Sequence, residues 1–152
     1  MKRITNELSD EDLMKYLKEH NIKINKICFQ DQLPEKLKIG FYIINLQSST
    51  DGNGTHWVSL YYNPNMSIYF DPFGFVPPKE IEERLNKYIY NDIEVQYIND
   101  TSCGYYSLAF IQFLYNRNNK YDFFNTFINL FNHADFKKNN SICETILNSQ
   151  EF

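Results

Sequence analysis

The 152-residue sequence predicts an α+β domain, with a central mixed β-sheet packed against a buried helix. Three observations lead there. Strand-like runs fill the middle of the chain and helical periodicity fills its C-terminal third, an order typical of segregated α+β architectures. The segment "HWVSLYYNPNMSIYFD" (56–71) reads as two strands around a turn. The segment from Ser102 to Leu114 is apolar on every side, which is how a helix enclosed by protein reads.

The elements follow in order. "SDEDLMKYLKEH" (9–20) opens on Ser9 as an N-cap with Asp12 three residues on, and Leu13, Tyr16 and Leu17 form its apolar stripe. "IGFYIINLQ" (39–47) is a buried-type strand, and "SSTDGNG" (48–54) is a loop by composition. "PPKEIEERLNKYIY" (77–90), with proline at its start, early acids and Ile81, Leu85, Tyr88 and Ile89 in register, predicts an amphipathic helix. "IEVQYI" (93–98) is expected as a further strand, and a helix opens at about Ser102. "YDFFNTFINLFN" and "SICETILNS" are expected as helices. No repeats or low-complexity tracts interrupt residues 1–152, which are read as one domain.

Composition narrows the classes of function. With 15 basic and 19 acidic side chains, the net charge of −4 argues against a protein that coats nucleic acid. No apolar run approaches the roughly 20 residues of a membrane span, and the first ten residues lack a signal-peptide core. Cys28, Cys103 and Cys143, odd in number and widely spaced, fit neither a disulfide framework nor a zinc site, so no metal and no cofactor are expected and a reducing interior is.

One constellation carries chemistry. A four-residue loop at 63–66 sets Leu60 opposite Tyr69 and Val58 opposite Asp71. His56 is then a diagonal neighbour of Asp71, about 7–8 Å away at Cα. A register slip of one residue would separate them to opposite faces. The pair supplies a base and the carboxylate that orients it. Cys103, at the first turn of the buried helix, is the candidate nucleophile: helix N-termini and neighbouring imidazolium ions bring thiols to roughly 3.5–7.5. Gly104 is read as leaving room for a substrate backbone. Gln96, seven residues upstream of Cys103, is a candidate donor to an oxyanion together with the Cys103 N–H, or a strand residue that only bridges backbone groups. Trp57 stands beside the base as substrate-binding residue or as plain core. His20 and His133 have no partner motif, and Cys28 and Cys143 have neither His nor acid in context.

At residues 40–115 the chain resembles a known family. "GTHWVSLYYNPNMSIYFDPFGF" and "QYINDTSCGYYSLAFIQFL" are similar to the adenovirus maturation protease, the adenain branch of a cysteine-protease clan that includes the ubiquitin-like-protein proteases. The resemblance implies a papain-like site in the permuted order His-Asp-Gln-Cys. His56 matches the general base, Asp71 the orienting acid, Gln96 the oxyanion donor, Cys103 the nucleophile and Trp57 the aromatic residue beside the base. Asp71 stands where adenoviral enzymes have Glu and the ubiquitin-like-protein branch has Asp. Adenoviral enzymes are activated by a peptide disulfide-linked through a cysteine between acid and nucleophile. No cysteine lies between Asp71 and Cys103, so that activator is not expected here, and the net charge of −4 argues against a nucleic-acid requirement. The resemblance implies a monomeric cysteine endopeptidase, acting in the virion or the infected-cell interior on capsid or core precursor polypeptides near Gly or other small residues. A deconjugase for ubiquitin-like proteins, an acetyltransferase of the same clan and a binding-only domain are the alternatives.

Overall fold

Ser9 and Asp12 begin the fold by capping each other. In the computed structural model, which describes residues 7–47, 56–96 and 101–149, the Asp12 N–H donates to Ser9 Oγ at 3.2 Å and the Ser9 N–H to Asp12 Oδ2 at 3.0 Å. This reciprocal box satisfies two otherwise orphaned donors and starts helix α1 (Asp10–Glu19). Leu13, Tyr16 and Leu17 are its buried stripe, as the periodicity predicts.

Five strands follow: β1 (Lys26–Phe29), β2 (Gly40–Asn45), β3 (Trp57–Tyr62), β4 (Ser67–Phe70) and β5 (Tyr88–Tyr90). They lie side by side in sequence order. β2, β3 and β4 are antiparallel, while β1 and β5 join the edges in parallel, so the sheet is mixed. The β3–β4 hairpin has the expected register, with Leu60 opposite Tyr69 and Ser59 opposite Phe70. The loop expected at 48–54 lies outside the described residues.

Two expectations need correction. The helix predicted over 77–90 is only one turn, α2 (Lys79–Glu82), and Tyr88–Tyr90 is strand β5 instead. Ile81 and Leu85 are buried, but Tyr88, Ile89 and Tyr90 suit a pleated edge better than a helix, and they pair with Ser67, Ile68 and Tyr69. Residues 93–96 form no strand. Their backbone turns back to Pro72, whose carbonyl accepts the N–H groups of Val95 at 2.9 Å and Gln96 at 3.2 Å. The remainder of that predicted strand, 97–98, lies outside the described residues.

Helices α3 (Cys103–Leu114), α4 (Lys120–Leu130) and α5 (Asn139–Asn148) complete the chain. Eleven of the twelve residues of α3 are buried, so it is enclosed as its uniform apolarity requires. Phe110 of α3 stacks on Phe70 of β4 with centroids 5.5 Å apart and planes 10° from parallel. Phe124 and Phe127 of α4 meet Phe110 edge-on. These rings, with Leu13 and Leu17 of α1 and Ile146 and Leu147 of α5, build the main core on one face of the sheet. A second core covers the other face: Tyr42, Ile44, Val58, Leu60 and Tyr69 pack with Leu33, Leu37, Ile81 and Leu85. The sheet is therefore buried on both faces, which makes a firm base for side chains at its rim.

Candidate active site

The hairpin register brings His56, just ahead of β3, beside Asp71, just past β4. The ring Nε2 and Asp71 Oδ1 are 2.9 Å apart, with the carboxylate fully buried and the histidine side chain 17 % exposed. Asp71 is fixed in turn. Its carbonyl accepts the Gly74 N–H at 2.8 Å, closing a turn over Asp71–Gly74, and Oδ1 also accepts the Phe73 N–H at 2.8 Å. Gly74 has φ +79°, and a Cβ there would stand 2.9 Å from the backbone of Ile93 and Glu94. Only glycine serves at that position without displacement.

Phe73 does more than shape the turn. Its ring lies flat against the His56 imidazole, centroids 4.2 Å apart and planes 4° from parallel. It covers one face of the imidazole next to its bond with Asp71.

Cys103 opens α3 and is 1 % exposed. The Trp57 backbone N–H donates to its sulfur at 3.2 Å. The sulfur also acts on the His56 ring. Burial alone lowers the pKa of that imidazole, but hydrogen bonding and charge from Asp71 and Cys103 outweigh it and raise the ring to about 9. Nε2 is engaged by Asp71, so Nδ1 is the nitrogen left for the thiol. Nδ1 is enclosed and has no partner of standard hydrogen-bond geometry among the described residues, so the sulfur–ring contact is looser than the Asp71 bond. Such contacts in unliganded sites commonly tighten when substrate binds. The arrangement can hold an imidazolium beside a sulfur nucleophile, which is the starting state for acyl transfer to a thiol.

Other sequence-singled residues are placed as follows. Trp57 is buried, and its indole Nε1 donates to the Leu8 carbonyl at 3.0 Å. It is thus core on its ring side and site on its backbone side. A Cβ on Gly104 would come 3.0 Å from Leu8 Cβ and 3.3 Å from Trp57 Cδ1. Internal packing takes up the space that the sequence reading left for a substrate. Gln96 is 1 % exposed and tied through its N–H to Pro72, the residue after Asp71. It therefore sits in the segment pinned against the acid turn. His20 stacks on Tyr16, centroids 3.9 Å apart, and His133 meets the Ile128 carbonyl at 3.1 Å. Neither histidine contacts this group. Cys28, Cys103 and Cys143 are buried and form no disulfide with one another, and burial raises the Cys28 thiol. Among the described residues no cluster of three or more His, Cys, Asp or Glu could hold a metal ion. No helix among them is long and apolar enough to cross a membrane.

Sequence reasoning missed two residues around the acid. Phe73 was readable as part of the Asp-Pro-Phe-Gly turn, but nothing in the sequence says where its ring points. Asn91, 3 % exposed, hydrogen-bonds to the Asp71 backbone from twenty residues away. No local signal marks it.

The chain is thus an α+β protein with a His–Asp pair set against a helix-borne cysteine. No protein-family model matches the sequence, and no curated protein does.

Proposed function

We propose that this protein is a cysteine endopeptidase of the adenain-like type, with a papain-like site in the order His56, Asp71, Gln96, Cys103. The observation that carries the reading is the half-buried His56 imidazole, bonded to Asp71 through Nε2, with hydrogen bonding and charge from Asp71 and the Cys103 sulfur raising its pKa to about 9.

In this reading the Cys103 thiolate attacks the scissile carbonyl carbon, and the carbonyl π electrons move to oxygen. The Cys103 N–H and the Gln96 amide donate to that oxyanion. When the tetrahedral adduct collapses, the C–N bond breaks and the His56 imidazolium gives its proton to the leaving amine. A thioester and neutral His56 remain. His56 then takes a proton from water as the water attacks, and the C–S bond breaks to release the acid and restore the ion pair. Asp71 holds the ring and stabilises its charged form throughout. The Trp57 N–H, 3.2 Å from the sulfur, holds the nucleophile in place through the backbone that follows the base.

The substrate in this reading is a viral capsid or core precursor, cleaved near Gly or another small residue by a monomer in the virion or infected-cell interior. Neither nucleic acid nor a disulfide-linked peptide is required. The test is to incubate the protein with a capsid precursor and, in parallel, with tagged ubiquitin-like conjugates. Cleavage of the precursor by wild type and none by Cys103→Ala is the expected result. Cleavage retained by Cys103→Ala overturns the assignment, and preferential cleavage of the conjugates overturns the substrate class.

A further inference from the structure

Asp71 leaves the sheet where the β4–β5 ladder stops. The last paired residues are Tyr69 and Tyr90, so the backbone groups of Asp71 have no strand opposite them. They are buried all the same, and buried backbone polar groups must find partners. The Asn91 side chain supplies one for each, beside the Gly74 N–H that also reaches the Asp71 carbonyl. Its Oδ1 accepts the Asp71 N–H at 3.1 Å, and its Nδ2 donates to the Asp71 carbonyl at 2.5 Å and to the Ile93 carbonyl at 3.1 Å. The three bonds fix the amide orientation, because the flipped amide would face a donor with a donor and two acceptors with an acceptor.

Resting on the protease reading above, we propose that Asn91 is a positioning residue for the Asp71 carboxylate. By holding the N–H and the C=O of Asp71 together, it fixes the two bonds that flank the Asp71 Cα and therefore the direction of its Cβ. The only flexible part left is a short side chain whose Oδ1 reaches His56 Nε2 at 2.9 Å. Misplacement by about 1 Å in such a constellation can cost roughly 10²-fold in rate. A side-chain amide does here what one more strand residue would do, and it does so from a different element than the hairpin that carries His56 and Asp71.

The titratable groups that act on His56 are Asp71 at the end of β4 and Cys103 on α3. Tyr69, on β4, has its phenol held well above the ordinary range by burial and by the charge of Asp71. A loosened Asp71 therefore weakens the hold on the imidazolium, with no other acid among the described residues to replace it.

The experiment follows carboxymethylation of Cys103 by iodoacetate against pH, mapped by mass spectrometry, in wild type, Asn91→Ala, Asn91→Ser and Asp71→Asn. This anionic reagent reacts with thiolate and is drawn by imidazolium, so its rate falls as His56 loses its proton. No peptide hydrolysis is needed. Wild type is expected to show that fall near pH 9, and Asn91→Ala to show it roughly one pH unit lower, in the direction given by Asp71→Asn. An unmoved fall in a folded Asn91→Ala protein overturns the proposal. Should that variant not fold by near-ultraviolet circular dichroism, Asn91→Ser is read instead, and failure of both to fold assigns Asn91 to the fold alone and overturns the proposal. A wild-type profile without any fall instead removes the His56–Cys103 reading itself, and the positioning role with it.

Discussion

The rings of Phe73 and His56 lie parallel at 4.2 Å, and the Phe73 N–H enters the same carboxylate oxygen that holds the imidazole. One residue thus braces the base by its ring and the acid by its backbone. Phe73→Ala keeps the backbone bond and removes the stack. Aromatic pairs contribute about 0.5–1.5 kcal/mol beyond burial, so turnover is expected to fall roughly 2- to 13-fold. Phe73→Tyr should stay near wild type. Steady-state kinetics on a peptide spanning the cleavage site measure both, and equal rates for Ala and wild type would leave the stack without a part in the mechanism.

Gln96→Ala is expected to lower kcat by about 10²–10³-fold, or roughly 2.7–4 kcal/mol, as loss of one oxyanion donor does elsewhere. Iodoacetate should still modify Cys103 at the wild-type rate, because that reaction develops no carbonyl oxyanion. An unchanged kcat would remove Gln96 from the mechanism.

The pH dependence of stability has a definite sign. His56 goes from 6.5 as a free imidazole to about 9 in the fold. A raised pKa means that the folded state binds the proton more tightly, so the contribution is complete below about pH 6.5 and fades as pH rises through about 9. Thermal melts of wild type should therefore lose part of their Tm between these values. Asp71→Asn should flatten that segment of the curve. A wild-type Tm that rises over the same interval would contradict the assigned charge state.

Gly74→Ala tests the turn behind the acid. The left-handed conformation costs a non-glycine residue about 1–2 kcal/mol, and the Cβ would meet backbone atoms at 2.9 Å, so the total should be larger. A falling denaturation midpoint with an unchanged m-value is the expected outcome. Activity should drop as well, because the Gly74 N–H closes the turn on the Asp71 carbonyl.

Much of this architecture was legible because two local signals are strong. The four-residue loop at 63–66 sets the hairpin register and so the His56–Asp71 pairing, and the uniform apolarity of 103–114 marks a helix with protein on all sides. The segment 77–90 misleads for a physical reason. Ile81 and Leu85 share a helical face and are indeed buried, but Tyr88, Ile89 and Tyr90 are bound by pairing with β4, a non-local interaction that no window of sequence contains. β1, only four residues long, offers too little pattern to be seen. The Asn91 bonds are invisible for the same reason as β5: they exist only after distant strands have aligned.

Leu8 has a consequence for anyone trimming this chain. Its carbonyl is the acceptor for the Trp57 indole, and its side chain covers the face of Gly104. A truncation starting at Ser9 would still contain all four candidate catalytic residues and the whole sheet. It would nonetheless strip the cover from the tryptophan whose own N–H touches the sulfur, so a shortened protein could fold well and react poorly.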